Sequence, residues 1–228
     1  MRKDKKEALE LRKSGLSYNQ ISDRLNIPKS TLSTWLKNIY LSEKSQSKLN
    51  THIYSTRIIK LIERNRKKTE VAQKKHENIR KIAKHEAKKL EKNPLFLTGL
   101  ALYWGEGYKK GSQGSKWKSI DFANSDPEMI KVMMKFFLKF LPITKNDIKV
   151  QLMLHNPDTD IESIVFWKNI TGLDDKNFFK TSHAISKSSK NKSVNLLQYG
   201  TIHIRINNVT LFFKLMGWID FIKEKFKN

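Results

Sequence analysis

One carboxylate, Glu106, stands between two glycines at the end of the apolar run Leu97-Thr98-Gly99-Leu100-Ala101-Leu102-Tyr103-Trp104-Gly105-Glu106-Gly107. A helix interior has little use for such an ending. Ala101 and Gly105, four apart, share a helical face and permit a second helix to approach backbone to backbone. Gly107 is expected to take the left-handed turn that closes a helix. Glu106 would then sit at the tip of a packed helix pair, where its oxygens could hold a divalent cation. The same residues also suit a core helix with a glycine cap and a solvated Glu.

A second set of chemically able residues alternates with aliphatic ones. Lys149, Gln151 and Met153 interleave with Ile148, Val150, Leu152 and Leu154, and Thr201, His203, Arg205 and Asn207 with Ile202, Ile204 and Ile206. Such period-two runs are strands with one buried and one outward face. The outward side chains supply the donors and acceptors that major-groove base edges require. Between the two runs, Lys187, Lys190 and Lys192 sit among Ser and Asn in a loop that phosphate contact would order. The remaining candidates are weaker. The six histidines show no metal-ligand spacing, and the absence of cysteine removes thiolate chemistry and Cys-based zinc sites. Asp158 and Asp160 fit a helix start, and Asp121 is a further candidate metal ligand.

The charge indicates what these residues meet. A formal net charge of +23 over 228 residues is self-repelling unless the chain works beside a polyanion, and nucleic acid is the default one. No apolar run approaches the roughly 20 residues of a membrane-spanning helix. A cytoplasmic, nucleoid-associated protein that binds double-stranded DNA and no membrane is expected. Residues 1–93 hold 25 Lys and Arg against 10 Asp and Glu, residues 94–228 hold 20 against 12, and most aromatics fall in the second part. The expected organisation is a helical unit over 1–41, a basic helical connector over 42–93 and an aromatic-rich domain over 94–228.

In the first unit, Ala8 with Leu11, Ile21 with Leu25, and Leu32 with Leu36 mark three short helices by their spacing. Gly15 ends the first, Ser17 caps the second, Asn26 suits a left-handed turn and Pro28 falls near the start of the third. The stretch YNQISDRLNIPKSTLSTWLK resembles the helix-turn-helix of resolvases and recombinases. That resemblance implies a third helix in the major groove, with Lys29, Ser30, Thr31, Ser33, Thr34 and Lys37 facing DNA. Trp35 is expected to pack on the core edge. Ser55 to Lys92, without Pro or Gly, predicts one long helix with Glu63–Lys67 and Glu70–Lys74 pairs, whose positive excess would touch backbone phosphates.

After Pro94 the pattern reads helix, two strands, helix, strand, inserted helix, a strand near 178–181, strand and helix. This is an α+β layout with an antiparallel sheet and helices on one face. The domain resembles the LAGLIDADG endonucleases, whose αββαββα fold this order approximates. Tyr103-Trp104 stand where that family more often has Ile-Asp. The resemblance places Ala101 and Gly105 on the interface and makes Glu106 the catalytic, metal-binding acid. It further implies a homodimer, since only one motif occurs, with Mg²⁺ held by a Glu106 from each subunit for phosphodiester hydrolysis. Lys109, Lys110 and Lys118 are then candidates for the basic residue at the phosphate. The expected function is a sequence-specific, Mg²⁺-dependent homing-type endonuclease. The alternative is a DNA-binding transcription regulator on the same fold that does not cut, and an architectural or RNA-binding role explains the charge but not the motif.

Overall fold

The computed structural model describes residues 3–154, 157–183 and 197–227. They divide into two compact units, Met1–Ala72 and Gln73–Asn228.

Local signals build the first unit. Helices α1 (Lys3–Lys13), α2 (Tyr18–Leu25) and α3 (Lys29–Leu36) enclose Ala8, Ile21, Leu32 and Leu36. The Ser17 hydroxyl accepts the backbone N–H of Gln20, and the Gln20 side chain accepts that of Ser17 at 2.9 Å, a reciprocal capping box. Asn26 turns the chain into α3 at a φ of 52°. Gly15 turns it out of α1 at 91°, where a Cβ would lie 2.7 Å from the Ser45 carbonyl oxygen. This close approach seats the start of the next helix against α1, and Ser45 Oγ donates to the Lys13 carbonyl at 2.6 Å.

That next helix, α4, runs Glu43–Leu90, so the basic connector is one continuous helix shared between the two units. Glu63 pairs with Lys67 at 3.1 Å as expected, whereas Glu70 turns back to Arg66 at 3.6 Å instead of reaching Lys74. In the second unit the last turns of α4 are core. Ala83 and Ala87 are buried, and Arg80 makes a two-pronged contact to Asp220 with both bonds at 2.8 Å.

The second unit continues with α5 (Pro94–Glu106), β1 (Ile120–Asn124), α6 (Pro127–Phe140), β2 (Ile148–Leu154), α7 (Asp160–Thr171), β3 (Ser182–His183), β4 (Thr201–Ile206) and α8 (Val209–Lys225). Asn93, Asp126 and Asn208 cap α5, α6 and α8 with their side-chain oxygens. The sheet order is β1-β4-β2-β3. The last strand therefore lies inside the sheet, with Ile206 opposite both Ile120 and Ile148 and Ile204 opposite Phe122 and Val150. This aliphatic face is buried in a core shared with Phe96, Tyr103, Phe136, Phe137, Phe212 and Trp218.

Three expectations fail here. The sheet is mixed and not wholly antiparallel, because β3 runs parallel to β2. Phe178, expected in that strand, makes only a single bridge to Val150. The αββαββα order also falls short, since one strand and not two joins α5 to α6. Gly107 contributes a lone bridge to Phe122, and Lys110–Gln113 form a 3-10 turn. Gly111 explains the turn: a Cβ there would lie 2.6 Å from the Trp117 carbonyl and 3.0 Å from the Phe212 ring, so the segment folds tightly onto α8.

Candidate nucleic-acid interface

The alternation of β2 and β4 places their polar side chains on one face of the sheet, as the sequence implies. There they are spent largely on one another. Arg205 Nε donates to Asp121 Oδ2 at 2.8 Å and a terminal nitrogen donates to Gln151 Oε1 at 2.6 Å. The Trp117 ring lies 5.7 Å from the guanidinium. One ring nitrogen of His203 is 3.0 Å from Asp121 Oδ1 and the other 3.1 Å from Met153 Sδ. The Asp121 side chain is only 7% exposed, so its negative charge depends on these partners. Both oxygens expected to be open to a metal are engaged by Arg205 and His203.

The other sheet residues are also placed. Lys149 donates to the Lys176 carbonyl at 3.3 Å, Asn207 accepts from the Ser119 hydroxyl at 2.8 Å, and Thr201 is half-buried opposite Met153. Lys187, Lys190 and Lys192 lie outside the described residues. At the start of α7, Asp160 accepts from Thr181 Oγ1 at 2.5 Å and lies 2.8 Å from His183 Nε2. These two bonds hold its carboxyl below the ordinary value of 3.8.

Helix α5 is half core and half open. Phe96, Gly99, Leu100 and Tyr103 are buried, and a Cβ on Gly99 would collide with the Phe136 ring at 2.4 Å. Leu97, Thr98, Ala101, Trp104 and Gly105 are exposed, and a Cβ on Gly105 would meet nothing within 4 Å. The run is thus not the fully buried helix that its apolarity implies. Gly107 also departs from expectation, since its φ is −72° and its backbone is extended. Its need for glycine is steric: a Cβ would stand 2.6 Å from the Tyr103 ring, whose hydroxyl donates to the Tyr108 carbonyl at 2.9 Å.

Glu106 is exposed at the C-terminal end of α5, where the helix dipole disfavours a carboxylate. Lys109 offsets this by donating to the Gly107 carbonyl at 2.6 Å and to that of Gly105 at 3.3 Å. Partial burial, with Lys223 nearby, lowers the Lys109 pKa, and Glu106 opposes the shift. Among the described residues no group of three acids or histidines could hold a metal ion.

The third surface is α3. Leu32 and Leu36 point into the small core, while Lys29, Ser30, Ser33, Thr34 and Lys37 are exposed and Thr31 is half-buried at the edge. Thr34 Oγ1 donates to the Ser30 carbonyl at 3.1 Å, which leaves its lone pairs open. Trp35 is half-buried and packs on the small core, the role expected for it.

Residues 2–39 match the family model of the Homeodomain-like domain. The match takes in α1, α2, the Asn26 turn and α3, a helix-turn-helix of the kind that binds DNA. The chain matches no curated protein and no solved structure. Beside the homeodomain-like unit, no helix among the described residues is long and apolar enough to cross a membrane.

Sequence reading alone took Asp121 only as a candidate metal ligand and missed Trp117. Asp121 is the hub of the sheet face, set directly opposite Arg205 by the β1–β4 register, and Trp117 lies over that guanidinium.

Proposed function

We propose that this protein binds double-stranded DNA at a defined sequence, with α3 of the homeodomain-like unit in the major groove. The observation that carries the reading is the polar side of α3, where Lys29, Ser33, Thr34 and Lys37 stand exposed opposite buried Leu32 and Leu36. Lys29 and Lys37 supply phosphate contact and register, and Ser33 and Thr34 the groups that distinguish base edges. The basic length of α4 adds affinity without sequence information. Selection of bound duplexes from a random pool tests this. A recurrent motif is expected, which Thr34→Ala relaxes at one or two positions; binding that tracks only length and salt would overturn sequence recognition.

The open face of α5 favours a second reading, that of a LAGLIDADG-type, Mg²⁺-dependent endonuclease acting as a homodimer. Leu97, Ala101 and Gly105 leave room for the same helix of another copy, which would carry its own Glu106 alongside. One chain alone does not fit Mg²⁺, since it presents a single carboxylate at this helix end; two copies together would supply two. An ion held between the two Glu106 carboxylates would supply the means to activate water for attack on a phosphodiester. Lys109, already turned to the helix end, keeps the pair of carboxylates from facing a bare negative dipole. Incubation of the selected duplex with Mg²⁺ separates the two readings: breaks made by the wild type and lost in Glu106→Gln support cleavage, and binding without breaks leaves a regulator.

A further inference from the structure

Tyr54, Ile58, Ile59, Leu61 and Ile62 crowd one stretch of α4, and all are exposed. Tyr54 is 69% and Ile62 62% accessible, values foreign to a surface whose only neighbour is water. Three of them belong to a line with a heptad repeat. Ser47, Tyr54 and Leu61 recur every seven residues, and Thr51, Ile58 and Asn65 recur every seven in the alternate register. No charged residue falls on this line between Ser47 and Asn65; Lys68 is the first and ends it. Arg57, Lys60, Glu63, Arg64 and Lys67 all lie to its sides.

The charge pattern decides the occupant. A surface meant for phosphates brings Lys and Arg forward, whereas this line is the uncharged strip of a strongly basic helix. An acidic partner would find nothing on it to neutralise. A second copy of the same helix fits, because two such basic chains can lie together only along an uncharged seam.

We propose that α4 pairs with α4 of a second copy as a short, parallel, in-register two-stranded coil over Ser47–Asn65. A β-branched residue at one core position with Leu at the other, here Ile58 and Leu61, favours two parallel strands. A single Asn in the seam fixes the register by facing its own counterpart, and Asn65 holds that place. A seam of this length buries on the order of 1,000 Å² in total, the lower bound for a specific interface. Gly15 and Ser45 fasten the three-helix unit to the start of α4, so parallel pairing sets two homeodomain-like units at the same end, ready for two half-sites. This seam is distinct from the open face of α5 and does not depend on cleavage.

The chain contains no cysteine, so a cross-link can be introduced against a clean background. Leu61→Cys in the full chain is expected to form a disulfide-linked dimer on mild oxidation, and Lys67→Cys, outside the seam, is not. In sedimentation equilibrium the wild type associates, and Leu61→Lys weakens the association at least tenfold while circular dichroism keeps its helical signal. Gly105→Leu, which blocks the α5 face, leaves the Leu61→Cys cross-link intact. A wild type that stays monomeric overturns the proposal, as does association unmoved by Leu61→Lys. Failure of Leu61→Cys to cross-link, or its protection by duplex DNA instead of by protein concentration, overturns it as well. If Gly105→Leu abolishes association and Leu61→Lys does not, the α4 seam is refuted while the α5 pairing of the second reading stands.

Discussion

The polar side of α3 and the uncovered side of the sheet look alike in sequence and differ in the fold. Both set Lys, Arg, Ser, Thr or Gln at helical or strand spacing opposite buried aliphatics. On α3, Lys29, Ser33 and Lys37 make no hydrogen bond or ion pair through their side chains among the described residues. On the sheet, Arg205, Gln151 and His203 converge on Asp121, and their hydrogen-bonding capacity is largely used. A polar face is available to a partner only when it carries no counter-charge of its own.

The largest test of that contrast is Asp121→Ala. It leaves the Arg205 guanidinium half-buried with Gln151 alone, and a loss of about 3 kcal/mol is expected in denaturant unfolding. Restoring stability by adding Arg205→Met would show that the cost lies in the orphaned charge. An Asp121→Ala protein as stable as wild type would mean that Arg205 is available for DNA after all. The matching change on α3, Lys29→Ala with Lys37→Ala, should leave stability within about 0.5 kcal/mol. Its effect falls on binding, with affinity down about tenfold and the salt slope reduced by about 1.8, as removal of two phosphate contacts requires.

Smaller effects sharpen the picture of what holds each face in place. Ser17→Ala removes one half of the box that starts α2, and about 1 kcal/mol should be lost from the first unit, read as a lower melting temperature. Smallest is the acid limb of the second unit. The hydrogen bonds from Thr181 and His183 depress the Asp160 carboxyl in the folded state. Its stabilising contribution is complete above pH 3.8 and drains away as the pH falls through the depressed folded value. Asp160→Asn should flatten that part of the stability curve by lowering stability at neutral pH and leaving the acid end nearly unchanged.

The first unit was readable because its determinants are local: Ser17 with Gln20, Asn26 and Pro28 act within a few residues of where they stand. The faces of β2 and β4 were readable for the same reason, since alternation is a property of neighbours. Strand pairing is not. The parallel partnership of β3 with β2 and the insertion of β4 between β1 and β2 depend on contacts far apart in the chain, and Asp121 meets Arg205 only through that register. Gly107 shows a subtler gap. Glycine there pointed to a left-handed turn, and the fold uses its missing Cβ to admit the Tyr103 ring. Composition alone does not separate those two uses. The opposite surprise is Gly105, where nothing among the described residues requires a glycine and the open reading of the α5 face takes its support.

Gly217 carries a practical consequence for dissecting the molecule. A Cβ on it would lie 2.4 Å from the Arg80 carbonyl oxygen, so α8 rests backbone to backbone on the end of α4. A fragment cut at Pro94, where the aromatic-rich part begins, would strip away that support, strand Asp220 without Arg80 and lay open a greasy furrow. Such a piece should come out of cells insoluble, and one begun at Gln73 should not.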